Sequence, residues 1–220
     1  MLSADLLWEP VPRGTLVAVV GPSGSGKDTL IDYARARLAA DRSVLFVRRV
    51  VTRPSLPSAE DHDSLPLPAF MAARAAGAFA VTWEAHGLHY AIPAEALRHV
   101  AGGGVAVANG SRAALPEIRS AFGRVITVSI TCRPEVLAAR LAARGREDGD
   151  EQERRKARGM LLFRGEPDSV EIDNSGDVSV AGEALVAVIR RLAAAASAAA
   201  PGGAEEGASS APVRSPPTLD

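Results

Sequence analysis

Short apolar runs alternate with longer amphipathic segments along most of the chain. Leu16–Val20 is an apolar, β-branched run of strand length, and Thr29–Ala40 after it has apolar residues at helical spacing. The same alternation predicts further strands at Val44–Val51, Phe79–Glu84, Leu88–Ala91, Gly104–Ala108, Val125–Ile130 and Val170–Ile172. It predicts further helices at Pro68–Ala76, Pro93–Val100, Ser111–Phe122, Pro134–Arg144, Gln152–Phe163 and Val180–Ala195, and a loop at Thr52–Leu67. Strands that alternate with helices in this way predict an α/β fold with a parallel sheet flanked by helices.

The length of the chain predicts one domain. With 220 residues the chain can bury a sizeable core, and we expect the domain to span residues 14–195. Residues 1–13 form an N-terminal extension. Residues 196–220 are rich in Ala, Gly, Pro and Ser, and a segment of that composition is expected to be disordered.

Charge and composition narrow the class of protein. A net charge of −1 argues against bulk binding to nucleic acid or to anionic membranes. The N-terminus has no basic region followed by an apolar run, so no signal peptide is predicted, and no apolar stretch has the ~20 residues of a membrane span. The single cysteine, Cys132, rules out an internal disulfide and fits a reducing compartment. We therefore expect a cytoplasmic protein without nucleic acid or membrane partners, and the sequence leaves its oligomeric state open.

A glycine-rich loop joins the first predicted strand to the first predicted helix. It matches the pattern G-x-x-x-x-G-K and consists of Gly21, Pro22, Ser23, Gly24, Ser25, Gly26 and Lys27. In this context the pattern predicts a loop that binds the phosphates of ATP, with Lys27 reaching the β- and γ-phosphates. The alternative is a glycine-rich turn with a fortuitous lysine. The composition speaks against it, because the chain has 23 arginines and only two lysines.

The residue after the loop lysine departs from the general pattern. A Ser or Thr normally follows the lysine and binds Mg²⁺, whereas here Asp28 follows, with Thr29 next. A carboxylate is a good ligand for Mg²⁺, so Asp28 and Thr29 are the candidate metal ligands. Alternatively, Asp28 only stabilises the positive end of the helix.

Several short segments resemble the guanylate kinase family. They are the loop itself, Val51-Thr52-Arg53, the pair Gly87 and Tyr90, and Arg144-Gly145-Arg146-Glu147. Where guanylate kinases have the glutamate and serine that read the base, this chain has Val81 and Ile92. Valine in place of that glutamate would leave donors of guanine unpaired, at a cost of a few kcal/mol. Guanylate specificity is therefore not expected.

The chain is more similar to the ribose 1,5-bisphosphate phosphokinases of bacterial phosphonate degradation, from about Leu16 to Ala195. The resemblance rests on Gly-Pro-Ser-Gly-Ser-Gly-Lys-Asp (21–28), Val-Thr-Arg (51–53), Ala-Glu-Asp-His (59–62), Thr-Trp-Glu-Ala-His-Gly-Leu-His-Tyr (82–90), Asn-Gly-Ser-Arg (109–112), Arg-Gly-Arg-Glu (144–147) and Asp-Asn-Ser-Gly (173–176). It implies a guanylate-kinase-like domain with small acceptor-binding and lid subdomains, the lid at about 140–158. The implied reaction transfers the γ-phosphoryl group of ATP to the 1-phosphate of ribose 1,5-bisphosphate, giving 5-phospho-α-D-ribose 1-diphosphate.

The resemblance also implies roles for individual residues. Catalysis would consist of positioning and charge neutralisation by Mg²⁺ and by Lys27, Arg140, Arg144, Arg146 and Arg155. Acceptor contacts fall on Arg53, Glu84, His86, Tyr90, Asn109 and Arg112, and Asn174 would face the adenine of ATP. For the lid arginines the alternative is a solvated helix with ion pairs. For Tyr90 it is an aromatic residue in the core of a hairpin.

Other side chains are given structural interpretations. His62, His86 and His89 lack metal-ligand spacing and are interpreted as residues at the surface or at the rim of a pocket. Trp83 is interpreted as a core residue. Two other functions stay open, a nucleoside monophosphate kinase of altered base preference and a non-catalytic guanylate-kinase-like binding module.

Overall fold

A computed structural model of the chain describes residues 14–53, 62–85, 87–143 and 168–198. Within these residues the strands are β1 (Thr15–Val20), β2 (Val44–Phe46), β3 (Arg49–Val51), β4 (His62–Ser64), β5 (Phe79–Ala85), β6 (Leu88–Pro93), β7 (Val105–Asn109), β8 (Val125–Thr131) and β9 (Ser169–Asp173). The helices are α1 (Lys27–Arg37), α2 (Leu67–Ala75), α3 (Ala94–Ala101), α4 (Leu115–Phe122), α5 (Pro134–Ala143) and α6 (Val178–Ala198), with a 3-10 turn at Arg112–Ala114. None of the described helices is long and apolar enough to cross a membrane.

Five strands form a parallel sheet in the order β2-β7-β1-β8-β9. All six residues of the central strand β1 are buried, as expected for a strand covered on both faces. Its side chains point alternately to two cores. Val17 and Val19 pack with residues of α1 and α6, whereas Leu16 and Ala18 pack with residues of α3 and α4. The predicted α/β fold with a parallel, helix-covered sheet is confirmed.

A second sheet of four strands lies in the order β4-β3-β6-β5. Strands β5 and β6 form an antiparallel hairpin, and β3 pairs with β6 in the antiparallel sense. One face of this sheet packs on α2 through Phe70, Val50 and Ala91. The other face contributes Val81 and Ile92 to the core on the α3 and α4 side of the main sheet. The second sheet is therefore attached to the main sheet through that face.

The predicted strand Val44–Val51 is wrong as a single element. The structure breaks it into β2 in the main sheet and β3 in the second sheet, with Val47 and Arg48 between them. Arg48 and Arg49 interrupt the apolar run at this point, but two charged residues in a strand do not by themselves show that the chain changes sheets. The predicted loop Thr52–Leu67 likewise contains an unpredicted strand, β4. The predicted helix Gln152–Phe163 lies outside the described residues.

Candidate functional site

The candidate site lies at the carboxyl edge of the main sheet. The loop Gly21–Gly26 follows the last residue of β1 and leads directly into α1. In open parallel sheets, ligands bind outside the carboxyl ends of the strands, and a helix N-terminus favours anions. Asn109 ends the neighbouring strand β7 at the same edge. The sequence-predicted loop therefore lies where a phosphate-binding loop functions.

Lys27 folds back over the loop that precedes it. Its ammonium group donates to the carbonyl oxygens of Gly21 and Pro22, each at 2.9 Å. Both contacts tie the side chain to the start of the loop. The positive charge of Lys27 therefore lies over the loop itself, within the region that the phosphates of ATP are predicted to occupy.

The carbonyl oxygen of Ser25 collects two donors from distant parts of the chain. The side-chain amide of Asn174 donates to it at 2.8 Å, and the Arg140 guanidinium donates at 3.4 Å. Asn174 is only 2% exposed and follows β9 directly. It therefore holds the loop in place, a positioning role that the sequence did not predict. The expectation that Asn174 faces the adenine stays a prediction.

Gly26 is required by the same contact. Its φ of +90° lies in the left-handed region, and a Cβ atom there would lie 2.3 Å from the Asn174 amide nitrogen. A larger residue would displace the side chain that holds the Ser25 carbonyl. The glycine before the lysine is thus explained by a steric constraint as well as by backbone conformation.

Asp28 and Asn109 meet between the first turn of α1 and the end of β7. The Asn109 amide donates a hydrogen bond to the Asp28 carboxylate. Asn109 is 7% exposed, and its own amide oxygen is buried without a hydrogen-bond partner. Thr29 is exposed in the same helical turn. A carboxylate and an unpaired amide oxygen are both ligands of the hard type that Mg²⁺ prefers, so the donor set fits a magnesium ion.

Arg112 lies at the same edge, in the 3-10 turn that follows β7. Its guanidinium donates to the Ser129 hydroxyl at 2.7 Å, and Ser129 of β8 is paired in register with Val20, the last residue before the loop. The structure thus brings Arg112, Asn109, Asp28 and the loop to one edge of one sheet.

The predicted acceptor residues of the second sheet divide between its two faces. Tyr90 is paired across the strands with both Val51 and Trp83, and its ring stacks on Trp83 with centroids 5.4 Å apart. Glu84 is exposed and paired with His89, and successive residues of a strand point to opposite faces. The structure therefore places Glu84 on the opposite face from Tyr90, and it does not bring these two predicted residues together.

Arg53 follows β3 at the end of the second sheet and is half-buried. The backbone just before it is tied to β6, because the His89 amide donates to the Thr52 hydroxyl at 2.9 Å and the Thr52 amide donates to the His89 carbonyl at 3.0 Å. Of the other predicted site residues, His86, Arg144, Arg146 and Arg155 lie outside the described residues.

Two buried polar residues were missed or misread. His62 was interpreted as a surface or rim residue, which is wrong, because it is only 6% exposed. Arg49, which the sequence analysis did not single out, is 8% exposed. The available signal was a pair of adjacent arginines, Arg48 and Arg49, inside a run of strand length that is otherwise apolar.

Cys132 follows β8 and is not suited to nucleophilic chemistry. Burial raises the pKa of its thiol above the ordinary value, and Asp173 adds to the effect, while Arg140 acts in the opposite direction. A thiol with a raised pKa stays protonated and unreactive near neutral pH.

Comparisons with known proteins bear on the family and the fold of the chain. The family model described as "AAA domain" matches residues 17–161. The chain is 47% identical over 178 residues to "Ribose 1,5-bisphosphate phosphokinase PhnN" of Agrobacterium fabrum, covering 81% of this chain and 97% of the relative. Proteins of the same name from Brucella melitensis and Methylobacterium radiotolerans are 46% and 48% identical, covering 83% and 80% of this chain and 95% and 98% of the relatives. Among solved structures, guanylate kinase from Anaplasma phagocytophilum matches with a TM-score of 0.60 at 15% identity, over 81% of this chain and 85% of that one, which shows a shared fold.

The contact between Gly26 and Asn174 generates a prediction. Gly26→Ala should weaken ATP binding by at least about tenfold, because the new methyl group displaces the amide that holds the Ser25 carbonyl. Gly77→Ala is the matched control, since Gly77 also has a positive φ but has nothing within 4 Å of a Cβ atom. Calorimetric titration with ATP measures the effect, and thermal unfolding measures the backbone strain common to both variants. Equal ATP affinities in the two variants would contradict the steric role of Gly26.

Proposed function

The chain belongs to the ribose 1,5-bisphosphate phosphokinase family, and from this we propose that it transfers the γ-phosphoryl group of ATP to the 1-phosphate of ribose 1,5-bisphosphate, giving 5-phospho-α-D-ribose 1-diphosphate. The observation that carries the proposal is the complete phosphate loop, with Lys27 folded over it and Asn174 and Arg140 bonded to its Ser25 carbonyl. The names of its relatives supply the acceptor. The reaction uses ATP, and Cys132 is a free cysteine that forms no disulfide. We therefore place the enzyme in the reducing cytoplasm.

The acceptor makes a general base unnecessary. The attacking atom is an oxygen of a phosphate monoester, whose second pKa is about 6, so it is largely ionised at pH 7. The obstacle is repulsion between two phosphorylated anions. The protein lowers it by placing cations where charge accumulates, which in phosphoryl transfer is the main contribution to catalysis.

We assign these cations by their place in the fold. Lys27 lies over the loop and accompanies the β- and γ-phosphates. Arg140, bonded to the loop carbonyl of Ser25, approaches ATP from α5. Arg112, bonded to Ser129 at the sheet edge, lies on the acceptor side. Arg144, Arg146 and Arg155 continue the lid in this proposal, and Arg53 binds an acceptor phosphate.

We propose that Mg²⁺ is held by Asp28, with the amide oxygen of Asn109 close by and Thr29 in the same turn. A bound Mg²⁺ would neutralise charge on the β- and γ-phosphates. The Asn109 amide orients the Asp28 carboxylate through its hydrogen bond. In most phosphate-loop enzymes the loop supplies a hydroxyl and a strand end supplies the acid. Here the carboxylate comes from the loop side and the strand end is neutral, which reduces repulsion of a dianionic acceptor.

Acceptor specificity is tested with purified protein, ATP and Mg²⁺. We expect turnover of ribose 1,5-bisphosphate, and rates at least about 100-fold lower with a panel of nucleoside monophosphates, because Val81 and Ile92 offer no groups to read a base edge. The measurement is ADP release, together with identification of the diphosphate product. Efficient turnover of GMP or another nucleotide, with none of the sugar bisphosphate, would refute the proposal.

The loop lysine gives a second prediction. Lys27→Ala should lower kcat by roughly 100-fold or more, because the γ-phosphate loses its nearest fixed charge. The thermal unfolding temperature serves as control, and it should change little because Lys27 is only half-buried. Retained activity would remove Lys27 from the mechanism.

Asp28→Asn gives a third prediction. The variant keeps the shape of the side chain but loses the negative charge, so ATP affinity in the presence of Mg²⁺ should fall by about tenfold. Affinity measured by calorimetry in the presence of EDTA should stay the same or rise, since an anion near the phosphates has been removed. Asp32→Asn, an exposed change one turn later in α1, should have neither effect. A loss of the same size with and without metal would argue that Asp28 acts only on the helix.

A further inference from the structure

Arg49 is a buried cation in the second sheet. It begins β3, has 8% of its surface exposed, and is followed by the buried residues Val50 and Val51. Taking a guanidinium group out of water is costly unless other groups compensate for its charge. The groups that surround Arg49 therefore decide how its side chain lies.

The surroundings of Arg49 hold its side chain in one direction. Its guanidinium carbon lies 5.8 Å from the centre of the Tyr90 ring, at a distance where the ring face attracts a cation. Tyr90 in turn is stacked on Trp83 with their planes 9° apart. On the other side, Arg49 is paired in register with the buried His62 of β4. Residues paired across strands share a face, so these four side chains line one face of the second sheet.

The same face carries two apolar residues beside Arg49. Val50 is paired with Ala91 and Val51 with Tyr90, so continuing this register places Ile92 opposite Arg49. Ile92 is paired with Val81, and both are buried. By the resemblance described in the sequence analysis, they correspond to the two positions where guanylate kinases read the base. Neither side chain can hydrogen-bond a base edge, and the register places the charged Arg49 beside them on the same face.

The two phosphates of the proposed acceptor require two separate places. The phosphate that receives the γ-phosphoryl group has to lie at the main-sheet edge, near Lys27 and Arg140. We take the other phosphate, on the far carbon of the ribose, to extend toward the second sheet, which joins the main sheet through Val81 and Ile92. A guanidinium fork binds a phosphate through two parallel hydrogen bonds, and a fork already oriented by an aromatic ring loses less freedom on binding.

We propose that Arg49 binds the phosphate of the acceptor that does not react, and that it thereby sets the preference for a sugar bisphosphate over a sugar monophosphate. This inference rests on the proposed function. It assigns the non-reacting phosphate to a site beside the apolar pair Val81 and Ile92, where a nucleotide kinase holds a base.

The test compares two acceptors in three proteins. Ribose 1,5-bisphosphate carries the second phosphate, and ribose 1-phosphate lacks it. Arg49→Met removes the charge and keeps much of the side-chain length. Arg48→Met is the matched control, because Arg48 is the preceding residue, is exposed, and is paired with Asp63 at 3.0 Å. The measured quantity is the ratio of kcat/KM for the bisphosphate to kcat/KM for the monophosphate.

We expect Arg49→Met to lower kcat/KM for the bisphosphate by about 10- to 100-fold, the usual effect of losing hydrogen bonds to a charged group. Its kcat/KM for ribose 1-phosphate should stay close to that of the wild type, so the ratio falls. Arg48→Met should leave the ratio unchanged. A loss of equal size on both acceptors would overturn the proposal, since Arg49 would then bind the reacting phosphate or only support the hairpin.

A second variant covers the case in which Arg49→Met does not fold. Arg49→Lys keeps a positive charge but loses the fork, and it should lower the ratio by a smaller factor, about 3- to 10-fold. Ribose 5-phosphate, which retains only the non-reacting phosphate, should inhibit the wild type in competition with the bisphosphate and inhibit Arg49→Lys more weakly. If Arg49→Lys shows the same inhibition by ribose 5-phosphate and the same kcat/KM ratio as the wild type, the role of Arg49 is overturned. The proposed function still stands in that case, provided that the wild type turns over the bisphosphate. A wild type without that turnover would overturn both.

Discussion

The carbonyl oxygens of the phosphate loop are the constraint on which the site depends. Carbonyl dipoles that point toward a bound phosphate would repel it, so a loop of this kind has to engage them with donors. Here Lys27 bonds the carbonyls of Gly21 and Pro22, while Asn174 and Arg140 bond that of Ser25. The last two donors come from far along the chain. The loop is therefore only complete when β9 has joined the main sheet beside β8 and α5 has packed near the loop, which links ATP binding to the folding of the whole main sheet.

In the proposed function, the two sheets bind different parts of the reactants. The main sheet brings the loop, Asp28, Asn109 and Arg112 to one edge, where phosphate charge is greatest. The second sheet carries a face lined by aromatic and basic side chains, and it is attached to the main sheet through the apolar residues of that same face. In the proposed function, a neutral amide at the end of β7, with the carboxylate on the loop side, would lower the negative charge that an anionic acceptor meets.

The main sheet and the loop could be predicted from the sequence because their signals are local. Buried parallel strands are continuous apolar runs, and the loop has a fixed spacing of glycines and lysine. The second sheet was less predictable, since the burial of His62 and Arg49 depends on strands that pair across the sheet. Because consecutive residues of a strand point to opposite faces, the sequence alone could have placed Glu84 and Trp83 on different faces. That Glu84 and Tyr90 also lie on different faces could be known only from the register of the hairpin, which pairs Tyr90 with Trp83. The positioning role of Asn174 depended on a contact across 149 positions of the chain.

The scarcity of lysine has a chemical consequence for this enzyme. Apart from the N-terminal amine, its only amines are those of Lys27 and Lys156, and all of its other basic side chains are guanidinium or imidazole groups. Reagents that acylate amines leave guanidinium groups untouched under mild conditions, because arginine does not lose its proton. One of the two side-chain amines lies on the ATP loop. Covalent labelling of side-chain amines in this protein can therefore reach only two positions, one of them on the phosphate loop, a selectivity that a lysine-rich kinase does not offer.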